Sequence, residues 1–161
     1  MRDCPQQRGS SAIAATRRNP PSAPALSRDP GFLLARAGGR AIRGFNRALD
    51  ELGLRSRHYT VLVAVNERGG LAQRELSEIL DVDPSAVVAI VDDLQGAGHV
   101  TRAAHPDDRR TKMVVLTDTG RLLLAELAPL STAVDEQILA ALDPDERDQF
   151  IDMLRRVAGL T

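Results

Sequence analysis

The chain has 161 residues, which suits one compact domain with an appended tail. Hydrophobic residues make up 43% of it and aromatic residues only 2%, so Leu, Val, Ile and Ala must fill the core, which favours a mostly α fold. The formal net charge is −1, and the absence of a long apolar run argues against a membrane-spanning helix and a secretory leader, which predicts a cytoplasmic protein.

Residues 1–30 are rich in Pro, Ser, Ala and Arg and show no helical or strand periodicity, which predicts a flexible tail. This tail either solvates the chain or acts as a basic arm that touches phosphates. The lone cysteine, Cys4, lies in it and is interpreted as an incidental thiol. Charge is uneven along the chain, because residues 28–57 contain seven arginines and three acidic residues, whereas residues 118–161 contain four arginines and nine acidic residues.

A first long helix is predicted between Gly31 and Leu54, with Gly53 as its end. A second helix is predicted from an N-cap at Ser56 through Arg68, before Gly69 and Gly70 stop it. The expected apolar stripes are Leu34, Ala37, Ala41, Phe45, Ala48 and Leu52 in the first helix, and Tyr59, Leu62, Val63 and Asn66 in the second.

A third, short helix is predicted from about Ala72 to Leu80, with Glu75 in its first turn, where the helix dipole favours a carboxylate. Its expected buried face consists of Leu76, Ile79 and Leu80.

A fourth helix is predicted after the turn at residues 81–83, because Asp83 is a good N-cap and Pro84 suits the first helical position. Gly98 ends it. Two short helices joined by a tight turn fit a helix-turn-helix, and they also fit an ordinary helical hairpin. The expected inward residues are Val87, Ile90, Val91 and Leu94, and the expected outward ones are Ser85, Ala86, Ala89 and Asp92, with Val88 at the margin.

A two-stranded β ribbon is predicted next, from the strand-like segments at residues 99–102 and 112–116 around a turn at residues 106–108. Arg109, Arg110 and Lys112 concentrate positive charge near its turn. Such a ribbon directly after a helix-turn-helix is typical of a wing that reaches a minor groove, and the alternative is a solvated hairpin.

Two C-terminal helices are predicted, one capped by Thr117 and bent at Pro129, the other started by the cap-plus-proline sequence at residues 143–146. Their apolar faces and that of the first helix predict a two-fold dimer, and the alternative is that they close a monomeric core. The apolar residues concerned are Leu122, Leu123, Leu127, Leu130, Val134, Ile138 and Leu142, then Phe150, Ile151, Leu154 and Val157.

Catalytic patterns are not found in the sequence. His58, His99 and His105 lie apart, no serine stands in a nucleophile-elbow context, and no phosphate-binding glycine loop is present. A metal site at His99 and His105 would lack a third clear ligand. We therefore predict a protein that is not an enzyme and needs no cofactor or metal.

The segment from residue 71 to 120 resembles the winged helix-turn-helix of the multiple-antibiotic-resistance regulator (MarR) family. The family's wing pattern D-x-R-x5-L-T-x2-G stands at Asp108, Arg110, Leu116, Thr117 and Gly120. The resemblance covers roughly residues 31–160. It implies dimerisation helices at 31–54 and 119–160 around a DNA-binding region at 55–118. It also implies a homodimer that binds a pseudo-palindromic DNA operator and usually represses transcription.

The resemblance assigns site residues. Arg110 matches the family's minor-groove arginine and Asp108 its brace, while the charges of Arg109 and Lys112 add to the wing. The remaining DNA-binding candidates, at the start of the third helix and on the reader helix, are Gln73, Arg74, Ser85, Ala86, Val88 and Ala89.

The chain also departs from the family pattern. Asp93 stands where a basic residue is common, and the reader helix from Pro84 to Ala97 has no Lys or Arg, so bidentate guanine contacts from it are unavailable. Ser85 hydrogen bonds and apolar contacts to thymine methyls then predict an A/T-rich operator.

The resemblance further implies a small aromatic or phenolic anion as effector. The candidate residues for binding it are Arg36, Arg40 and His58. Oxidant sensing finds no suitable residue, because the first helix has no cysteine. The main alternative function is a winged helix used for protein–protein contact without operator binding, which the acidic balance of residues 71–117 favours.

Overall fold

The computed structural model describes residues 26–104 and 111–160. They divide into two compact units, one ending at residue 35 and the other beginning at residue 36. Within the described ranges no helix has the length and apolarity needed to span a membrane. The elements are α1 (Pro30–Leu49), α2 (Ser56–Arg68), β1 (Leu71–Ala72), α3 (Gln73–Leu80), α4 (Pro84–Gly96), β2 (Val100–Ala104), β3 (Lys112–Leu116), α5 (Asp118–Ile138) and α6 (Pro144–Val157), with 3-10 turns at Leu26–Arg28 and Asp50–Leu52.

The first unit holds the 3-10 turn and the start of α1. The carboxylate of Asp29 accepts a hydrogen bond from the backbone N–H of Phe32 at 2.6 Å, which satisfies a free donor at the start of the helix. Leu33 and Leu34 are exposed.

The core of the second unit lies where α2 packs against α3, α4, α5 and β3. Aliphatic side chains fill it, as the low aromatic content predicts. The largest fully buried ones are Leu49, Val61, Leu62, Val65, Leu76, Val87, Val91, Leu94, Val100, Val114 and Leu127.

The predicted two-stranded ribbon is present, and it belongs to an antiparallel sheet of order β1-β3-β2. In the ribbon Val100 pairs with Leu116 and Ala104 with Lys112. The third strand, β1, pairs Leu71 with Val114. Sequence patterning did not predict β1, because a two-residue strand is too short to show an alternation.

Several helix ends are confirmed. Pro84 occupies the first turn of α4 and Asp83 the N-cap position, although the Asp83 side chain makes no capping hydrogen bond. Thr117 caps α5 by accepting a hydrogen bond from the Gly120 N–H at 3.0 Å. Asp143 and Glu146 form a reciprocal capping box at α6. The first helix ends earlier than predicted, at Leu49, and Gly53, in the left-handed region, ends the 3-10 turn that follows it.

The prediction for α2 was wrong in two respects. Its N-cap is Arg55, because the imidazole of His58 accepts the Arg55 N–H at 2.9 Å and Ser56 begins the helix. Its most buried face is turned by about one residue, or 100°, from the predicted stripe. Asn66 is exposed, and the buried residues are His58, Val61, Leu62, Ala64 and Val65.

Several residues of the predicted apolar stripes are exposed: Leu34, Ala37 and Leu52 in the first helix, Ile79 in α3, and Leu122, Ile151 and Val157 in the C-terminal helices. The last three lie on faces that were expected to be covered in a dimer. Ile79 is 48% exposed, because the short helix α3 turns Leu76 into the core and leaves Ile79 outside. Leu122 is 66% exposed, whereas Leu123 and Leu127 in the same helix are buried. Helical spacing allows either side of the helix to face inward, and neighbouring elements decide which one does.

Candidate nucleic-acid interface

The turn between α3 and α4 fixes the helix-turn-helix. Asp81 takes a left-handed conformation with φ of 50°, and the hydroxyl of Ser77 donates to the carbonyl of Val82 at 2.5 Å. At the start of α3 the carboxylate of Glu75 accepts the Ala72 N–H at 2.7 Å. Local side chains thus satisfy backbone groups on both sides of α3, which fixes where α4 begins.

The predicted inward stripe of α4 is confirmed, since Val87, Ile90, Val91 and Leu94 are all buried. The N-terminal half of the opposite face is made of small and apolar side chains, and Asp92 follows on the C-terminal half. Ser85 and Ala89 are exposed, Ala86 is half-buried, and Val88 is 42% exposed. Because these side chains are short, the helix backbone can come close to the base edges in a DNA groove. The face offers one hydroxyl and several apolar contacts for reading the base sequence.

Gln73 and Arg74 begin α3 and differ in exposure. The amide nitrogen of Gln73 is buried and has no hydrogen-bond partner among the described residues. Arg74 is exposed and its Nε lies 3.1 Å from the carboxylate of Glu78. Arg74 therefore offers a partly compensated charge, whereas Gln73 would have to rotate to present its amide nitrogen outward.

The wing is described only at its base. Lys112 is exposed at the first position of β3, opposite Ala104. Asp108, Arg109 and Arg110 lie outside the described residues, as do the predicted turn at 106–108 and His105.

Sequence reasoning missed the side chain that joins the wing to α4. Arg102, in the middle of β2, donates from Nη2 to the carboxylate of Asp92 and from Nη1 to the amide oxygen of Gln95, both at 2.5 Å. Because it stands seven and ten residues from its partners, no helical or strand spacing relates them, and no sequence signal identified the contact.

His58 is a buried residue at the start of α2. Its Nδ1 accepts the Arg55 N–H, and its Nε2 lies 3.5 Å from a carboxylate oxygen of Asp93 on α4. His58, Asp93 and His99 line a cavity of about 400 Å³. Across the part of the chain that the structure describes, no three His, Cys, Asp or Glu residues are grouped for a metal ion. Through its two ring nitrogens His58 contacts both the start of α2 and α4.

One cavity has an arginine-rich wall. It measures about 580 Å³, and Arg40, Arg43 and Arg47 line it from α1, with Arg55 from the start of α2. Arg55 pairs with Asp50 at 2.7 Å, whereas the three arginines of α1 have no ion-pair partner within the described ranges. We call this space the arginine cavity. Its excess of cationic side chains favours an anionic ligand.

An apolar recess of about 150 Å³ adjoins the arginine cavity. Ala41, Ile42 and Phe45 line the recess, and Val134 and Ile138 of α5 line both spaces. The two spaces together fit a molecule with an apolar end and an anionic end. Of the three residues predicted to bind the effector, only Arg40 lines the arginine cavity. Arg36 and His58 do not line it.

The C-terminal helix leaves its apolar side chains uncovered. No residue of α6 is buried. Phe150 and Leu154 are half-buried. The exposed apolar residues of this region are Ile151, Met153, Val157 and Leu160. An isolated helix of 14 residues is marginal in water, so α6 needs a partner surface.

Comparisons with known proteins give a consistent set of relatives. The sequence model of the MarR family matches residues 52–111. The chain is 31% identical over 128 residues to a putative transcriptional regulatory protein for the hcr operon of Thauera aromatica, covering 79% of this chain and 77% of that protein. It is 30% identical to the HTH-type transcriptional repressor Rv2887 of Mycobacterium tuberculosis, covering 80% of this chain and 93% of the repressor. The crystal structure of CouR from Rhodococcus jostii RHA1 bound to p-coumaroyl-CoA is 36% identical and superposes with a TM-score of 0.78, over 86% of this chain and 98% of CouR.

Proposed function

The chain belongs to the MarR family of DNA-binding transcriptional regulators, and from this premise we propose that it is a homodimeric repressor released from its operator by an anionic effector. One observation supports the reader assignment above the others. The face of α4 opposite the core is exposed and lined by small side chains, and the wing strands follow directly after that helix. We assign DNA contacts to Arg74, Ser85, Ala86, Val88, Ala89, Arg109, Arg110 and Lys112, to Gln73 after a rotation of its side chain, and the bracing role to Asp108.

DNA binding is tested by titrating labelled DNA from upstream of the protein's own coding sequence, with a scrambled duplex as control. A DNA reader is expected to bind the first duplex more tightly and to lose affinity steeply as salt rises from about 50 to 200 mM, because phosphate contacts release counterions. If the protein binds neither duplex at low salt, the alternative of a protein–protein module replaces the proposal.

The operator is proposed to be A/T-rich and pseudo-palindromic. Helix α4 has no Lys or Arg to pair with guanine, while Ala86, Val88 and Ala89 suit thymine methyl groups and Ser85 supplies one hydroxyl. Selection from a random duplex library is expected to enrich two A/T-rich half-sites about one helical turn apart. Enrichment of G/C-rich half-sites would contradict this assignment.

The dimer is proposed to form through residues 31–54 and 119–160. The described helices leave α6 without a buried side chain, so a second copy is the cover that a symmetric regulator supplies. A two-fold arrangement would also place two α4 helices about 34 Å apart, as one DNA turn requires. Analytical ultracentrifugation at micromolar concentration is expected to give a dimer, and a compact monomer would contradict it.

The effector is proposed to be an aromatic acyl compound that carries negative charge, bound with its ring in the apolar recess and its anionic groups in the arginine cavity. Three arginines of α1 line that cavity without an ion-pair partner in the described part of the chain, which favours a ligand with more than one negative charge. CouR, whose structure holds p-coumaroyl-CoA, supports a phosphate-bearing thioester over a free phenolic acid. p-Coumaroyl-CoA and the free acid p-coumarate are therefore suitable probes.

Operator release is expected to need less p-coumaroyl-CoA than p-coumarate. Replacing Arg43 and Arg47 together by glutamine is expected to raise the thioester concentration for half-release at least roughly tenfold, since charged hydrogen bonds contribute about 1.5–3 kcal/mol each. Arg57→Gln removes a charge from the exposed first turn of α2, outside the cavity wall, and is the matched control.

Anisotropy of the preformed operator complex measures this release. If neither compound releases DNA at millimolar concentration, the proposed effector class is wrong. If Arg57→Gln shifts the response as much as the double variant, general electrostatics rather than the cavity governs it.

A further inference from the structure

We propose that Arg102 is a positioning residue, which fixes the wing relative to the reader helix and neutralises a carboxylate that would otherwise oppose DNA phosphates. The inference rests on the proposed function as a DNA reader and adds a determinant of operator affinity that neither the sequence nor the family resemblance assigned.

The contact is a fork between two elements. The two terminal nitrogens of Arg102 reach Asp92 and Gln95, which stand three residues apart on the same face of α4. A planar guanidinium donates its hydrogen bonds in a fixed relative orientation and so positions two acceptors. The ammonium group of lysine is a compact charge that fixes no such orientation. The Arg102 side chain is 26% exposed and that of Asp92 is 58% exposed, so the guanidinium is more shielded from solvent than the carboxylate.

The fork crosses the junction where α4 gives way to β2. Gly98 makes the reversal there with φ of 78°. The hydroxyls of Thr117 and Thr119 hold the junction from the side of α5, each donating to the Gly98 carbonyl at 2.7 Å. Arg102 holds it from the side of α4. Strand β2 is paired with β3 as far as Ala104 and Lys112. The orientation of β2 relative to α4, which Arg102 fixes, therefore also sets the orientation of the paired β3.

Charge gives Arg102 its second role. Helix α4 carries two exposed acidic residues, Asp92 and Asp93, and no basic residue. An unpaired Asp92 carboxylate would repel DNA phosphates. The Arg102 guanidinium neutralises the negative charge of this carboxylate by pairing with it directly. Asp93 lies near His58 instead. The fork therefore removes an electrostatic penalty close to the reading surface.

The two roles predict opposite changes in DNA-binding affinity for Asp92→Asn. Simple charge removal predicts tighter DNA binding, because one negative charge leaves the helix that approaches the phosphates. Loss of the fork predicts weaker operator binding despite that gain. We expect Asp92→Asn to weaken binding to the operator about threefold or more and to leave binding to random duplex unchanged or slightly tighter.

The full test compares Arg102→Gln, Arg102→Lys and Asp92→Asn in the intact protein, on operator and random DNA, across a salt series. Arg102→Gln is expected to lower operator affinity at least roughly tenfold, with a smaller loss on random DNA. Arg102→Lys is expected to restore only part of the loss. Adding Asp92→Asn to Arg102→Gln is expected to recover part of it, since the double variant no longer exposes an unpaired carboxylate.

Arg57→Gln is the matched control, because Arg57 is exposed on α2, outside α4, the wing strands and the segments proposed to form the dimer. Circular dichroism and thermal melting establish that each variant is folded. The proposal is overturned if Arg102→Gln loses operator and random DNA equally with a lower salt slope, which would identify Arg102 as a plain phosphate contact. It is also overturned if Asp92→Asn tightens operator binding. Failure of the parent protein to bind any DNA would instead refute the proposed function.

Discussion

Arg110→Ala is expected to lower operator affinity by at least about thirtyfold, the largest effect of any single change on DNA binding. A base contact of this kind contributes about 1–3 kcal/mol, and a symmetric dimer loses it twice. Arg110 matches the family's minor-groove arginine, and it lies in the segment between the paired ends of β2 and β3. A guanidinium there would enter a narrow groove whose negative potential is strongest in A/T-rich DNA. Fluorescence anisotropy with the operator duplex measures the loss.

Lys112→Ala is the control for Arg110→Ala. Lys112 is exposed at the base of the wing, where a phosphate contact is expected. Its loss should weaken operator and random DNA alike and reduce the salt slope by about one for each contact removed. Arg110→Ala should instead act mainly on the operator. If folded, dimeric Arg110→Ala protein bound its operator within twofold of the parent, the wing would have no role in recognition.

Gly120→Ala is expected to produce the largest loss of stability. A Cβ atom at this position would lie 2.0 Å from the carbonyl oxygen of His99, which is backbone and cannot rotate away. That carbonyl also accepts the Thr117 N–H at 3.1 Å, so the junction between wing and α5 is held where the methyl group would have to fit. Relieving such an overlap costs about 3 kcal/mol. At fixed protein concentration the melting temperature should fall by roughly 6–12 °C.

Gly96→Ala is the matched control, because Gly96 also lies in a helix but has open space where a Cβ atom would stand. Alanine there should leave stability unchanged or raise it by about 0.5–1 kcal/mol, since glycine is the poorer helix former. Differential scanning calorimetry on both variants decides the matter. Equal melting temperatures for Gly120→Ala and Gly96→Ala would mean that the His99 backbone yields without cost.

Local chemistry explains why much of the reader was predictable. The starts of α4, α5 and α6 at Asp83, Thr117 and Asp143 depend on residue types within a few positions of each helix end, so each could be identified from a short stretch of sequence. The inward stripe of α4 depends only on helical spacing. The small residues of the opposite face then follow without knowledge of any neighbour, which located the candidate reading surface.

Contacts between distant segments explain most of the errors and omissions. Ile79 and Leu122 are exposed although their spacing fits a buried stripe, because the packing of each helix leaves that side uncovered. The buried face of α2 includes His58, a residue that composition marks as polar. The fork at Arg102 and the strand β1 join segments whose separation in sequence carries no periodic signal. The arginine cavity shows the same division, since Arg40 lines it and Arg36 and His58 do not.

Side-chain chemistry over a few neighbouring residues was enough to predict the order of the helices, the start signals of α4, α5 and α6, the inward side of α4 and the family. The packing of distant segments was needed to show which arginines share a cavity, how Arg102 joins β2 to α4, and why Gly120 has no room for a side chain. These depend on distances between segments that folding brings together, and a distance in space is not encoded in any local spacing of residues.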